Sequence, residues 1–479
     1  MRSQTKGYIT VFLSLSITII LSLVLALYQG ARIGTVRMKA ECVADIAMNS
    51  VLSEYNRELF DQYSLLFVDC SYGRPNPSVV NTREHLRYYA GKNFERSTIG
   101  GLSNAQTMTA MNCKDVNLTG YSVATDNEGA VFCRQILAYM AAEPVGGAFT
   151  DVMDNAGRLK SAGLDTTDVE QMASENQKRI DETRLPEIEN DEGEKETVSI
   201  GNPADAVNAQ KAVGILNLAI DDRNSISGAA VNTQLLPSKR KLEKGTGLDD
   251  TEKLSVSEKL LLDEYFYEKC SRYGNELDKA ILKYQLEYLA YGEDSDYKNL
   301  EKMAQELLFW REASNMLYLF GCQEKISQAE ALAGALSVIL MVPELMEPIK
   351  YSILFAWTFA ESVADLHTLF GGGKIPLLKD DASWKLSIGS MLSFRSNLNS
   401  EGGEEGLDYK DYLRMKLFMT DTGKKVSRMM DIVEMDIRNT KGNEYFRLDY
   451  CLDVLRAEFV VGTRYGYEAS IERTYGYEY

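Results

Sequence analysis

Histidine is nearly absent from this chain of 479 residues, which contains only His85 and His367. Many hydrolases need a histidine as general base, so this scarcity argues against that class of enzyme. The sequence also lacks the Gly-x-Ser-x-Gly, His-Glu-x-x-His and dinucleotide-binding glycine motifs. We therefore predict a protein that is not an enzyme, with no catalytic residue and no cofactor.

Cysteine is sparse and scattered, and no two cysteines form a Cys-x-x-Cys pair, which argues against a zinc site. A secreted disulfide framework is usually denser and has an even number of cysteines. We expect most of these thiols to be buried as small apolar groups. A single bridge between Cys113 and Cys451, joining two strands, stays open as an alternative. The seven are Cys42, Cys70, Cys113, Cys133, Cys270, Cys322 and Cys451.

Positive charge is in deficit. The chain has 52 Lys and Arg residues against 70 Asp and Glu residues, a formal net charge of −18. An anionic surface repels nucleic acid and anionic lipid, so we predict no nucleic-acid partner. A soluble exterior whose charges repel one another is the simplest explanation of this balance.

Residues 371–374 read Gly-Gly-Gly-Lys and superficially suggest a phosphate-binding loop. The earlier glycine that such a loop requires would fall at Thr368, and Ile375 stands where a serine or threonine should bind magnesium. We expect these glycines to end a helix that finishes at Phe370.

Three metal-binding residue types occur close together just before those glycines. Glu361 and Asp365 are four residues apart and share one face of a helix, whereas His367 points elsewhere. We therefore predict no metal site in this segment. A helix that buries Trp357 and uses its acids for tertiary hydrogen bonds is the preferred interpretation.

Residues 8–28 form a long run without a charged side chain. As a helix this run is about 32 Å long, which matches a hydrocarbon core of roughly 30 Å. A cleaved signal peptide would have a shorter apolar region and a small-x-small exit, so we predict a retained single-pass anchor in the lipid bilayer. The short tail favours a cytoplasmic N-terminus and an extracytoplasmic body. The anchor residues are Tyr8, Val11, Phe12, Leu15, Ile19, Leu23, Leu27 and Tyr28.

The anchor is predicted to continue as one helix to about residue 60, because small and apolar residues recur three and four positions apart. Two interpretations of this seam stay open. It packs on the protein's own body, or it packs on a partner helix from a neighbouring copy. The seam residues are Ile33, Val36, Ala40, Val43 and Ala47.

The rest of the chain alternates between strand-like and helical patterns, and we predict an α+β fold. Its sheet is antiparallel and combines residues 63–69, 107–124 and 446–479, with a large, mainly helical insertion between the early and late strands. The predicted segments are the anchor and continuing helix (1–62), the first part of the β-rich head (63–129), a helical region with acidic linkers (130–253), a helical domain (254–425) and the completing strands (426–479).

From residue 459 onward, aromatic and apolar side chains occupy odd positions, which is typical of strands with one aromatic face. The repeated Tyr-Gly-Tyr-Glu suggests two related strands or two halves of one ribbon. The aromatic face is either a core face of the sheet or an interaction face for another chain. Its tyrosines are Tyr465, Tyr467, Tyr475 and Tyr477.

Four sets of segments carry a resemblance to a known family. They are GYITVFLSL (7–15) with GAR (30–32), NSVLSEYN (49–56) with YSLLF (63–67), AWTFAESVADL (356–366) with KIPLLK (374–379) and Trp384, and LDYKDYL (407–413) with RMMDIVE (428–434). Together they resemble an uncharacterised family of single-anchor surface proteins related to the TadE/TadG-type minor pilins of tight-adherence (Flp) pilus loci.

The resemblance implies a membrane-anchored, extracytoplasmic, pilin-like component whose partners are pilin or secretion-platform proteins. One departure matters, because type IV prepilins carry a glutamate at the fifth mature position and Phe12 would stand there after cleavage at Gly7. This argues against pilin-type processing. Two other hypotheses compete: an anchored binding protein for a cell-wall polymer or peptide, and an anchored hydrolase that would depend on His367.

Overall fold

The structure, a computed structural model, describes residues 5–96, 110–142, 148–183, 187–189, 195–197, 202–248, 254–398 and 405–477. Its fold is α+β, with an antiparallel sheet and one long apolar N-terminal helix, as predicted. The chain divides into two compact units. Unit 1 comprises Met1–Glu143, Leu236–Leu254 and Val433–Tyr479, and unit 2 comprises Pro144–Leu235 and Ser255–Ile432.

Unit 1 begins with two consecutive helices, after which strands and helices alternate. They are α1 (Thr5–Leu52), α2 (Arg57–Tyr63), β1 (Val68–Asp69), α3 (Val79–Arg96), β2 (Met111–Val123) and α4 (Asp126–Ala142). The first turn of α4 is irregular, because Asn127, Glu128 and Gly129 have positive φ angles of 52°, 60° and 87°.

Unit 2 is mainly helical and contains one two-stranded ribbon. Its elements are α5 (Ala148–Ser161), α6 (Val169–Glu182), β3 (Glu187–Glu189), β4 (Lys195–Thr197), α7 (Pro203–Lys211), α8 (Ile215–Ala219), α9 (Val256–Lys269), α10 (Gln285–Tyr291), α11 (Asp296–Gly321), α12 (Gln323–Ile339), α13 (Met346–Phe370), α14 (Ile388–Met391) and α15 (Tyr409–Met419). The helix α16 (Thr422–Arg438) crosses the division, and β5 (Cys451–Thr463) and β6 (Glu468–Gly476) complete unit 1.

The long N-terminal helix is shorter than predicted, because α1 ends at Leu52 rather than near residue 60. The side chain of Asn56 accepts a hydrogen bond from the backbone N–H of Leu59 at 3.0 Å and so starts the separate helix α2. Ser64 then ends α2 in the left-handed conformation, and its N–H donates to the carbonyl of Phe60. Both ends of α2 are therefore fixed by local hydrogen bonds.

The sheet of unit 1 is built around β5, the strand that carries most of the pairing. It pairs antiparallel with β2 from Leu452 to Thr463 and with β6 from Val454 to Gly462. The short strand β1 pairs with β5 at Cys451 and Leu452. The early strands β1 and β2 and the late strands β5 and β6 therefore form one antiparallel sheet, as the sequence patterns indicated.

The core of unit 1 lies between this sheet and the helices α1 and α3. Residues of α1 at spacings of three and four are buried in it together with Leu86 and Ala90 of α3 and with Leu455 and Phe459 of β5. Alanines at positions 40, 44 and 47 leave room for the helix backbone to approach the sheet closely. The amphipathic spacing of the second half of α1 is therefore explained by packing within the chain.

In unit 2 the central element is α13, which contacts α6, α7, α8, α11, α12 and α14. Almost every residue of this helix from Ile349 to Phe370 is buried. A helix that is buried on all sides needs little polar–apolar alternation. The apolar composition of α13 is therefore explained by burial in unit 2, whereas Val338, Ile339 and Met341, at the end of α12 and just beyond it, are exposed.

Three local predictions were wrong. Residues 63–68 contribute only Val68 to a strand, since α2 extends to Tyr63. The acidic segment 186–196 has the composition of one of the predicted acidic linkers, but Glu187–Glu189 and Lys195–Thr197 form the paired strands β3 and β4. The pattern of residues 277–291 fits an amphipathic helix, but only α10 is helical there. The Asp296 carboxylate accepts the backbone N–H groups of Lys283 and Tyr284 and so keeps the residues before α10 out of the helix.

The packing of α1 on the sheet predicts a strong effect of Ala47→Leu. Ala47 is fully buried in the core of unit 1, and three added carbon atoms must displace neighbouring side chains at a cost of about 1–3 kcal/mol. We expect the melting temperature of the full-length protein in detergent to fall by several degrees. Cys42→Leu on the exposed side of the same helix is the control, and an equal melting temperature for both variants would contradict this packing.

Candidate functional site

The first half of α1 is an exposed apolar surface. All eight predicted anchor residues are exposed, from Tyr8 to Tyr28. Among the described residues, α1 is the one helix long and apolar enough to cross a membrane, and none of its most apolar window is buried in the protein. A contiguous apolar surface of this size needs a covering environment other than water.

The hydroxyl groups within this apolar run are suited to a medium without water. Thr10, Ser14, Thr18 and Ser22 each donate to a backbone carbonyl three or four residues earlier, at distances of 2.7–3.0 Å. A polar group in hydrocarbon is costly unless it is hydrogen-bonded, and these four need no partner outside the helix. The composition and the local hydrogen bonds of this half of α1 both favour a membrane anchor.

The predicted partner-helix seam packs inside unit 1. Val36, Ala40, Val43 and Ala47 are buried in the core with the sheet and α3, while Ile33 is half-buried. The structure therefore agrees with the first of the two interpretations that the sequence left open, in which these side chains pack on the protein's own body. A neighbouring helix would therefore contact the opposite face of α1, where Met38 and Ile46 are exposed.

The strand β6 is attached to α1 by polar contacts as well as by packing. The guanidinium of Arg473 donates to the Asp45 carboxylate at 2.7 Å and lies 3.7 Å from that of Glu41. The hydroxyl of Tyr477 donates to the backbone carbonyl of Leu52 at 2.5 Å. These contacts fix the direction in which the apolar half of α1 extends from the sheet.

The predicted aromatic interaction face is divided between the core and the surface. Tyr467, Tyr475 and Tyr477 are partly buried and pack against the core of unit 1. Tyr465 lies in the turn between β5 and β6, where it is 58% exposed and the guanidinium carbon of Arg32 lies 3.9 Å from its ring centroid. Within the described residues, Tyr465 is the most accessible of the four to another chain.

The acids of α13 lie in an enclosed ion network. The Arg311 guanidinium of α11 lies 2.9 Å from the Asp365 carboxylate, and the Lys379 ammonium lies 2.5 Å from Asp365 and 2.8 Å from Glu361. The amide of Asn315 also donates to Asp365, at 3.1 Å. All four charged side chains are at most 1% exposed, so this network holds helices together and offers no open coordination position.

The charges of this network perturb one another. Burial opposes ionisation of Asp365, but Lys379 and Arg311 outweigh it and hold its pKa below the ordinary value. Burial raises the pKa of Glu361, although Lys379 acts in the opposite direction. Within the described residues, no three His, Cys, Asp or Glu side chains are placed to hold a metal ion.

His367 points away from the network, as predicted, and its Nε2 lies 3.1 Å from the Asp221 carboxylate. Its Nδ1 is buried and has no hydrogen-bond partner among the described residues, so no hydroxyl or thiol in that part of the chain is positioned as a nucleophile beside it. The glycines that follow end α13. The N–H of Gly373 donates to the carbonyl of Thr368 at 2.8 Å, and Gly372 has a φ angle of +86°.

Unit 2 contains a groove with room for a small molecule. It consists of two adjoining cavities of about 210 and 320 Å³ that share Glu170 of α6 and Lys211 of α7 as lining residues. The smaller cavity is also lined by Gly214, Ile215, Leu218, Glu301, Gln305, Leu308, Glu312 and Phe359. The larger is also lined by Ala173, Ser174, Gln177, Asp205, Asn208, Ser352 and Phe355.

One wall of the smaller cavity is a single face of α11. Glu301, Gln305, Leu308 and Glu312 follow one another at spacings of four, three and four, so their side chains line the same side of the helix. Glu312 is only 7% exposed and has no hydrogen-bond or salt-bridge partner in the part of the chain that the structure describes. Burial raises its pKa to about 7, Lys211 lowers it, and Glu170 and Asp168 raise it.

A second buried carboxyl group, that of Glu287, lies away from the groove. The hydroxyl of Tyr409 donates to its Oε1 at 2.6 Å, and the backbone N–H of Tyr273 does so at 3.1 Å. Its Oε2 has no partner within the described residues. Burial raises the pKa of Glu287 to about 7, against the lowering effect of these two hydrogen bonds.

Sequence reasoning found the acids of α13 but missed the residues that surround them. Arg311 occupies a buried position of α11 beside Trp310 and Ala313, and a basic residue at a core position was a readable signal for a buried ion pair. Glu312 was missed because an acidic residue beside an arginine is typical of a solvated helix face. Its burial depends on α6, α7 and α8, whose arrangement no local pattern encodes.

Comparisons with known proteins give one match. Residues 192–463, more than half of the chain, match the model of a family described as "Family of unknown function (DUF5702)". The matched region includes the groove helices α7, α8, α11 and α13 and the ion network, and it begins after α1. No curated protein and no solved structure matches the chain.

The ion network predicts a large loss of stability on Asp365→Asn. The substitution removes the negative charge that pairs with the buried Arg311 guanidinium and Lys379 ammonium. Breaking a buried ion pair typically costs about 3–5 kcal/mol. We expect thermal and denaturant unfolding of the purified protein to show this loss. The control, Glu347→Gln, removes the exposed partner of Lys350 on the same helix and should cost about 0–1 kcal/mol. Equal effects would contradict the role of the network.

Glu287 predicts a stability difference that depends on pH. Its carboxyl group is protonated in the folded state below about pH 7 but ionises near its ordinary pKa when unfolded. Its stabilising contribution is therefore complete below that ordinary pKa and is lost as the pH rises through 7. Glu287→Gln imitates the protonated form, so its stability should lie within about 1 kcal/mol of the wild type near pH 5 and exceed it at pH 8 by up to about 3 kcal/mol.

Melting temperatures of both proteins from pH 5 to pH 8 test this prediction. Glu276→Gln, at an exposed position eleven residues earlier, is the control and should follow the wild type throughout. A difference between Glu287→Gln and the wild type that stays constant with pH would show that Glu287 does not titrate in this range.

Proposed function

The chain belongs to DUF5702, a family of unknown function, and we propose that it is a non-enzymatic, membrane-anchored, pilin-like component of a tight-adherence pilus or a related type II/IV-like secretion apparatus. One observation carries the proposal. A single helix has an apolar half without protein cover and a second half packed against an antiparallel sheet. This is the general plan of pilin-like proteins, which the sequence resemblance also implied.

The proposal includes a topology. The N-terminus is cytoplasmic, residues 8–28 cross the membrane, and both units are extracytoplasmic. The support for this arrangement is the strongly acidic composition of the chain, with 70 Asp and Glu residues against 52 Lys and Arg residues. The proposed partners are other membrane-anchored pilin proteins or proteins of the secretion platform.

The proposed role is that of an accessory component rather than a repeating fibre subunit. The apolar run contains no carboxylate, and Phe12 stands where the resemblance would place a glutamate. A buried carboxylate in such a helix could pair with the N-terminus of the next subunit, and this chain lacks it. Met38 and Ile46 are exposed on the side of α1 that faces away from the core of unit 1, and a partner would contact α1 there.

Site-specific photo-crosslinking tests the proposal. Met38 lies ten residues beyond the apolar run, about 15 Å along the helix, and its side chain is 62% exposed. A photoreactive amino acid at position 38 should crosslink to another membrane-anchored protein of the pilus or secretion machinery in intact cells. Mass spectrometry of the adduct identifies that protein.

The same photoreactive group at Tyr88, which is 60% exposed on α3 of unit 1, is the matched control and should give no such adduct. The proposal would be overturned by adducts from position 38 that contain no pilus or secretion protein, together with recovery of the full chain as a monomer in mild detergent.

A second candidate function is that of a membrane-anchored binding protein for a cell-wall polymer or peptide. The observation that favours it is the groove of unit 2, with its buried carboxyl group at Glu312. The tyrosine face gives it less support, because three of its four side chains pack against the core of unit 1.

A further inference from the structure

Glu312 is an exception among the buried acids of unit 2. Asp365 and Glu361 are paired with Lys379, and the Asp431 carboxylate accepts the hydroxyl of Tyr288 at 2.8 Å. Glu312 is slightly less enclosed, at 7% exposed against 0% for these three, and it has no hydrogen-bond or salt-bridge partner among the described residues. Burying an unpaired carboxyl group destabilises a fold, and such groups are characteristic of functional sites.

The lining of the groove indicates the charge of the missing partner. Three carboxylates, those of Glu170, Glu301 and Glu312, line the smaller cavity against the single ammonium of Lys211. The partner of Glu312 is therefore a cation. A metal ion fits poorly, because no three acidic, histidine or cysteine side chains in the described ranges are close enough together to coordinate one.

The apolar residues of the groove indicate the shape of that cation. Phe359, Leu308, Leu218 and Ile215 line the same cavity as the acids, so the charge must be carried on an apolar arm. Lys211 already places an ammonium 4.9 Å from the Phe359 ring centroid, which shows that this aromatic face accepts such a group. A volume of about 210 Å³ is below that of a pocket for a drug-sized ligand and suits a group the size of a side chain.

We propose that this groove binds a primary ammonium group on a short alkyl arm, as in a lysine side chain or a diamine, with Glu312 as its ion-pair partner and Phe359 and Leu308 against the arm. The proposal is independent of the pilus function. It refines the second candidate function, since it names the chemical group of a wall peptide that this groove would recognise.

Calorimetric titration of the full-length protein in detergent tests the ligand chemistry. The probes are 1,5-diaminopentane as a free diamine and Nα-acetyl-lysinamide as the peptide form, with 1-pentanol as the uncharged control. We expect at least one of the two amines to bind and 1-pentanol not to bind. The amine with the higher affinity indicates whether the natural ligand is a free diamine or a lysine side chain of a peptide. The proposal would be overturned if neither amine binds or if 1-pentanol binds as tightly as the amines. It would also be overturned if Mg²⁺ or Ca²⁺ binds at Glu312 in place of the amines.

Substitution of Glu312 tests the site. Glu312→Gln should weaken amine binding by about 10- to 100-fold, as expected for a hydrogen bond between charged groups. It should also raise the melting temperature without ligand at pH 8, because it removes an unpaired buried charge. Glu301→Gln, on the same wall, should weaken binding less, and this second variant keeps the test valid if Glu312→Gln does not fold. Unchanged affinity in both would overturn the proposal.

Glu175→Gln is the matched control, because Glu175 lies on α6 with Glu170 but is exposed and does not line the groove. Its amine affinity should equal that of the wild type. The affinity of the wild type should also rise from pH 6 to pH 8 as Glu312 ionises beside Asp168, Glu170, Glu301 and Lys211. An affinity that does not change over this range would count against Glu312 as the partner.

Co-sedimentation with purified cell walls separates this inference from the candidate function that it refines. Loss of sedimentation in Glu312→Gln but not in Glu175→Gln supports both. Sedimentation that is equal in all three proteins leaves the wall-binding function in place and overturns the role of the groove.

Discussion

The structure of unit 1 depends on one constraint. A single continuous helix has a first half that no other part of the protein covers and a second half that packs against a sheet. In its first half the side chains are apolar on all sides and the hydroxyl groups bond back to the helix. In its second half a stripe of valines and alanines faces the sheet, and charged residues such as Asp45 bond to β6. Because the helix has no break between the two halves, its packing on the sheet fixes the orientation of the apolar half.

This constraint also explains the order of elements along the chain. The strands that complete the sheet, β5 and β6, come after unit 2, so the core that holds α1 forms only when the two ends of the sequence meet. Unit 2 is inserted between paired strands of one sheet. Such an insertion is tolerated when its own core is complete, and the buried helix α13 with its surrounding helices provides one.

Sequence patterns predicted those elements whose surroundings repeat regularly. The apolar first half of α1, the α1 stripe and the alternation in β5 and β6 were readable because an unbroken apolar run, packing on one side of a helix and a two-sided strand each leave a regular pattern in the sequence. The end of α1 at Leu52 and the short α10 were missed, since side chains at Asn56 and Asp296 form local hydrogen bonds that have no periodicity. The groove was missed for a similar reason, because helices far apart in sequence surround Glu312.

The adjacent residues Arg311 and Glu312 have different surroundings in unit 2, since Arg311 lies in the enclosed ion network and Glu312 lines the groove. Successive residues of a helix point about 100° apart, so Arg311 reaches Asp365 in the enclosed network while Glu312 lines the groove. The network joins α11 to α13, and Phe359 of α13 forms another part of the groove lining. A binding group must be held in place by residues that are themselves fixed. The buried ion pairs of unit 2 are therefore best understood as the support that keeps Glu312 in a position where it has no partner of its own.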